Sequence, residues 1–261
     1  MNSKPIITFT TDFGVDSPYV AAMKAVLLQR IPDAVVVDIS HAVPKFNVLA
    51  GSFVLWLGTK EFEAGSIHVC VVDPGVGTER KRIVVQADGK LFVGPDNGVF
   101  SCVIAKSKVK RIYEVVDDKY FRHPVSKTFE GRDVFAPIAA ALASGANLDE
   151  FARQTSTYVY LTDFDVAYDG PSIEAKVVWV DDFGNAVLSL AWPQNGLKIL
   201  RITGKNFSVS CSYPSFGFAK SSEPFWYIGS AGHVEIGIKQ QSFASIYGVR
   251  AGDKITVTLV E

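Results

Sequence analysis

Two short runs, VVVDI at 35–39 and HVCVV at 68–72, are apolar on both faces of an extended chain. Strands of that kind belong in a sheet covered on each side, the setting of parallel strands joined by crossover helices. The sequence around them supplies such helices. Ser17-Pro18 gives an N-cap and a first-turn proline, and Tyr19, Met23, Val26 and Leu27 follow at the i, i+4, i+7, i+8 spacing of one buried face. NVLAGSFVLWLG at 47–58 predicts a second helix, and one containing Pro137 to Ala143 stops at Ser144-Gly145. A strand is expected at 6–10, and SIHVCVVDPGVG at 66–77 predicts another that breaks at Pro74-Gly75.

From about Gly170 the pattern changes. SIEAKVVWV, LKILRI, NFSVS, PFWYIG, HVEIGI and KITVTLV are short, β-branched or aromatic, and separated by Gly, Asn, Asp or Ser, which predicts an all-β barrel or sandwich. The expected organisation is a Rossmann-like α/β domain with a mainly parallel sheet over 1–155, a linker over 156–170 and a small β-barrel-like domain over 171–261. With 48% of its 261 residues hydrophobic, the chain can fill both cores.

The formal charge of −1 provides no general attraction to nucleic acid or anionic lipid, so the expected partner is a small molecule. Cys70, Cys102 and Cys211 are odd in number, far apart and set in apolar surroundings, which suits buried thiols in a reducing compartment. The four histidines lack ligand-like spacing, so no metal site is expected. The start, MNSKPIITFTTDFG, enters a strand pattern without the apolar stretch of a signal peptide, and no run reaches membrane-spanning length. A cytoplasmic location is expected.

Open α/β sheets bind ligands at the carboxyl ends of their strands. Acidic motifs are expected at such ends: TTDFG at 10–14, VVDPGVGTER at 71–80, GPDNG at 94–98 and TFEGRD at 128–133, with DDFGN at 181–185 in the β domain. Singly, each is ordinary turn or cap chemistry. Together with GSAGHVEIG at 229–237, they have the order and approximate spacing of the S-adenosylmethionine (SAM) hydroxide adenosyltransferases, which the chain resembles from Asp12 to its last strands. These are hydrolytic relatives of the SAM-dependent fluorinase and chlorinase.

The resemblance implies a homotrimer with sites between one subunit's N-terminal domain and a neighbour's C-terminal domain. It also implies the conversion of SAM and water to adenosine and methionine with no cofactor. A sulfonium departs as a neutral thioether, so the chemistry needs a placed, partly desolvated oxygen in line behind C5′ rather than a general acid. By the same resemblance, Asp12 takes the ribose hydroxyls and Phe46 packs on the ribose. Phe183 stacks on adenine, Asn185 meets the base edge, Asp181 meets the methionine ammonium and Ser230 its carboxylate. Asp73 and Arg80 match two members of an Asp-Arg-His trio at the water site; the halogenases carry tyrosine at the Asp73 position.

The third member departs from the family pattern T-F-H-G-R-D, because Glu130 stands where the histidine is expected. Glu130 keeps a proton-accepting group but can be anionic, and it is expected to replace the histidine as a catalytic residue beside Asp73 and Arg80. Two carboxylates around one arginine would have their protonation steps pushed apart. Asp133 suits either an ion pair with Arg132 or the start of the following helix. Two other readings stay open: a SAM or adenosine binder without catalysis, and a metal-dependent phosphohydrolase. Against the second stand the lack of a phosphate-cradling GxxxxGK[ST] loop and Arg80, which would oppose a metal beside Asp73.

Overall fold

The α/β unit begins with β1 (Ile6–Thr11), α1 (Pro18–Arg30), β2 (Val35–Ser40), α2 (Val48–Thr59) and β3 (Ile67–Val71). It continues through β4 (Arg82–Ala87), β5 (Lys90–Pro95), α3 (Ser101–Lys106), β6 (Lys110–Val115), α4 (Ala136–Ala143) and β7 (Ala152–Gln154). The computed structural model describes residues 4–168, 170–192, 196–219 and 222–260, which fall into two units, Met1–Tyr160 and Leu161–Glu261. Strand order in the first sheet is β2-β1-β3-β5-β4-β6-β7. β2, β1, β3 and β5 are parallel, and β4, β6 and β7 add antiparallel pairings. The chain leaves β1 for β2 on one side and returns to β3 on the other, so the sheet has a switch point between β1 and β3.

Local chemistry sets these elements. Ser17 caps α1 by accepting from Tyr19 N, and Asn47 caps α2 by accepting from Ala50 N at 2.9 Å. Asp88 and Gly89, both at positive φ, make the tight turn between β4 and β5. Phe9, Phe135 and Phe151 are fully buried in the core beneath this sheet, each contributing roughly 2–3 kcal/mol. β3 is buried along its whole length, as expected for HVCVV. VVVDI differs: β2 is the edge strand and is only half-buried. Val20, not Tyr19, joins Met23, Val26 and Leu27 on the buried face of α1, and Tyr19 is 56% exposed. The cysteine expectation also needs correction, because Cys70 and Cys102 are buried but Cys211 is exposed.

The second unit contains β8 (Ser172–Val180), β9 (Ala186–Ala191), β10 (Lys198–Thr203), β11 (Ser208–Val209), β12 (Phe225–Ile228), β13 (His233–Gly237), α5 (Phe243–Tyr247) and β14 (Lys254–Val260). These strands pair antiparallel with one another, in the order β11-β10-β14-β8-β9-β13-β12. Residues 211–213, just beyond one edge strand, bond to Trp226 of the other: Trp226 N donates to Cys211 O at 3.0 Å and Tyr213 N to Trp226 O at 3.3 Å. That contact nearly closes the sheet into a barrel around Val177, Leu188, Ile202 and Val257. No helix among the described residues is long and apolar enough to cross a membrane.

Candidate active site

Asp12 follows β1 and Asp73 follows β3, on the two sides of the switch point. Both line a cavity of about 260 Å³, with Glu130, Phe46, Lys45 and Tyr19 among its other walls. Asp12 is buried, and its Oδ2 accepts from Phe46 N at 2.8 Å. Phe46 has φ +64, a left-handed conformation that costs a β-carbon-bearing residue on the order of 1 kcal/mol. The Asp12 bond holds that conformation while the ring stays 70% exposed. Ser17 does the capping of α1, which leaves Asp12 to the cavity.

Asp73, Arg80 and Glu130 form one cluster. Arg80 Nε donates to both oxygens of Asp73, at 2.8 and 2.9 Å, and Arg80 Nη2 bonds Asp73 Oδ2 as well as Glu130 Oε2 at 2.7 Å. All three side chains are almost fully buried. The Arg80 guanidinium lies over the Phe135 ring, 5.5 Å from its centre. Burial alone would lower the pKa of Arg80, but its bonds to Asp73 and Glu130 outweigh that and raise it, so it stays a cation. Its Nη1 is buried with no acceptor among the described residues, a donor suited to an oxygen atom.

A second arginine completes the cluster. Arg82 donates from Nη2 to Glu130 Oε1 at 2.5 Å and from Nε to Oε2 at 3.2 Å. Two carboxylates therefore stand with two guanidiniums, not one: Arg80 bonds both, and Arg82 bonds Glu130. The signal for Arg82 was its spacing: Arg80 and Arg82 alternate about Lys81, which pairs instead with Glu114.

Glu130 is carried into place by the segment before a π-helical turn, Gly131–Phe135, which leads into α4. Asp133 is fully buried in that turn and makes no helix cap. Burial would raise its pKa, but the guanidinium of Arg132, the N–H of Ser126 and then Arg122 lower it below the ordinary carboxylate value. Pairing, rather than capping, is the use of Asp133. An aromatic triangle of Phe13, Tyr19 and Phe129, with ring centres 5.1–6.2 Å apart, flanks the cavity. GPDNG turns to scaffold: Asp96 accepts from Val159 N at 2.8 Å and Asn97 Nδ2 donates to Val72 O at 2.8 Å.

In the second unit, Asp181 organises the β8–β9 turn, accepting from Phe183 N at 3.0 Å, Asn185 N at 2.8 Å and Asn185 Nδ2 at 2.8 Å. The last bond fixes the amide and leaves Asn185 Oδ1 buried without a donor among the described residues. Phe183 and Asn185 line a cavity of about 670 Å³ with Phe216, Ile238, Lys239 and Ser242. Phe183 is 80% exposed, a large ring with little to pack on in its own unit. Ser230 is not among the residues lining that cavity; it lies in the turn between β12 and β13. No group of three or more His, Cys, Asp or Glu side chains among the described residues has metal-holding geometry.

Residues 7–152 match the model of the SAM hydroxide adenosyltransferase N-terminal domain, and residues 175–256 that of the C-terminal domain. A protein of Salinispora tropica named (R)-S-adenosyl-L-methionine hydrolase is 36% identical, across 99% of each chain. One of the same name from Methanocaldococcus jannaschii is 32% identical, covering 97% of this chain and 95% of its own. The crystal structure of an uncharacterized conserved protein from Thermotoga maritima superimposes with a TM-score of 0.85 at 32% identity, covering 97% of this chain and 99% of that one.

Proposed function

Because the chain belongs to the SAM hydroxide adenosyltransferase family, we propose that it hydrolyses S-adenosyl-L-methionine to adenosine and L-methionine by in-line attack of water on C5′. The observation that carries the reading is the buried Asp73–Arg80–Glu130 cluster, whose two carboxylates line the same cavity as Asp12. Asp12 takes the ribose diol, with Phe46 against the sugar. Asp73 and Arg80 grip the water behind C5′. As the C5′–O bond forms, the C5′–S pair withdraws onto sulfur, and the water's proton passes to Asp73 and then to solvent. Arg80, a permanent cation, offsets the charge developing on the oxygen. The fixed negative charge of Asp73 disfavours halide at this position.

Phe183 and Asn185 receive adenine by stacking and by the free amide oxygen. Asp181 and Ser230 take the methionine ammonium and carboxylate. Groups for ribose and water lie on one unit and those for the base on the other, and the family resemblance has such sites completed between the subunits of a homotrimer. The reading places the enzyme in the cytoplasm. Incubation with SAM, followed by chromatography, tests it: adenosine and methionine should appear in equal amounts, undiminished by EDTA and lost in Asp73→Asn. Binding of SAM without products would make the chain a non-catalytic binder instead.

A further inference from the structure

Glu130 occupies the place of a neutral base, yet it is bonded to both guanidiniums of the cluster, to Arg80 and, in two prongs, to Arg82. Oxygen Oε2 is shared between the two guanidiniums, so Glu130 bridges them. Arg82 is itself anchored over the Phe121 ring, at 5.8 Å. We propose that Arg82 is a positioning residue for the hydrolytic reaction: it fixes Glu130 as a charged brace that aims Arg80 at Asp73, and so leaves proton acceptance to Asp73. The inference rests on the hydrolytic reading above.

Charge balance carries the argument. Around Glu130 stand Asp73, Arg80 and Arg82, with Asp12 and Lys45 lining the same cavity. Arg82 is one-third exposed and lines a separate cavity of about 400 Å³ together with Asp117 and Asp118. With Arg82 present, two guanidiniums match two carboxylates. Without it, one guanidinium is left between two buried carboxylates, and the cluster recovers neutrality by taking up a proton. That proton sits on the groups that must grip the water, so activity is lost first on the acid side. Lysine restores the charge but not the fork.

The test is the pH dependence of adenosine release from SAM for wild type, Arg82→Ala, Arg82→Lys and Arg82→Ala combined with Glu130→Gln. Thermal melting and adenosine binding serve as checks on folding, and Lys81→Ala as the neighbouring control. Arg82→Ala should lower kcat about 10- to 100-fold at neutral pH, the scale of a small misplacement, with KM little changed. Its acid limb should move to higher pH. Arg82→Lys should return the limb to the wild-type position with only part of the rate, and Glu130→Gln should cost little further in the Arg82→Ala background. Wild-type turnover with an Arg82→Ala profile superimposable on it overturns the inference alone, as does an Arg82→Lys limb that stays with Arg82→Ala. A wild-type chain that releases no adenosine overturns the hydrolytic reading and the inference with it.

Discussion

Arg80 Nε lies 2.8 Å from Oδ1 and 2.9 Å from Oδ2 of Asp73, so one donor is shared by both oxygens of a nearly buried carboxylate. Removing the guanidinium leaves Asp73 without that partner and Glu130 with Arg82 alone. Arg80→Met should therefore cost on the order of 3–5 kcal/mol of stability, the usual penalty for stripping one partner from a buried pair. Chemical denaturation measures it, and a loss below about 1 kcal/mol would mean the pair is solvated in solution.

His68 sets the acid sensitivity of the α/β unit. It is fully buried, with its ring nitrogens 2.9 Å from Thr8 Oγ1 and 2.9 Å from Ser66 Oγ. Burial, with a smaller contribution from Lys90, lowers its pKa to about 3. The unfolded chain takes the proton from about pH 6.5 downward and the folded site only near 3, so protons favour unfolding between those values. Stability from this residue is complete above pH 6.5 and falls by up to about 1.4 kcal/mol per pH unit below it. His68→Gln should flatten that slope in denaturation curves taken across the range; an unchanged slope contradicts the assignment.

Phe183 separates binding from folding. At 80% exposure, its truncation to alanine should leave stability within about 0.5 kcal/mol of wild type. Adenosine affinity, read by calorimetry, should fall by about 1–3 kcal/mol, the value of stacking one base on an aromatic ring. Equal affinity in the variant would remove Phe183 from the base site.

Gly77 brings the two catalytic loops together. It has φ +79, and a β-carbon there would lie 2.3 Å from the carbonyl oxygen of Lys127, three residues before Glu130. Gly77→Ala should cost on the order of 1–3 kcal/mol from backbone strain alone. It should also depress turnover by displacing Glu130. Gly14, at φ +94 but with open space around it, is the control: Gly14→Ala should lose stability without that clash.

The two-layer logic of the fold is legible in the strands. A run as apolar on both faces as HVCVV needs helices above and below it, and β3 has them. VVVDI carries the same signal yet forms an edge, because composition reports what a strand can bury and not its position in the sheet. The charged run ERKR at 79–82 leads into β4, and along it Arg80 and Arg82 pair with Glu130 while Lys81 pairs with Glu114. The turn signal Asp88-Gly89 was there to mark the hairpin. Nothing local marks the π-helical turn at Gly131–Phe135, since its hydrogen-bond register is settled by packing against α1 and α4. Asp12, Asp73 and Glu130 are placed by motif register, whereas Arg82 has only its spacing from Arg80 to mark it, and its partner Glu130 lies 48 residues away along the chain.

The origin of the oxygen in the product tests the central claim most directly. SAM turned over in ¹⁸O-labelled water should give adenosine carrying the label at its 5′-hydroxyl and methionine carrying none. Unlabelled adenosine, or label in methionine, would contradict attack of water on C5′.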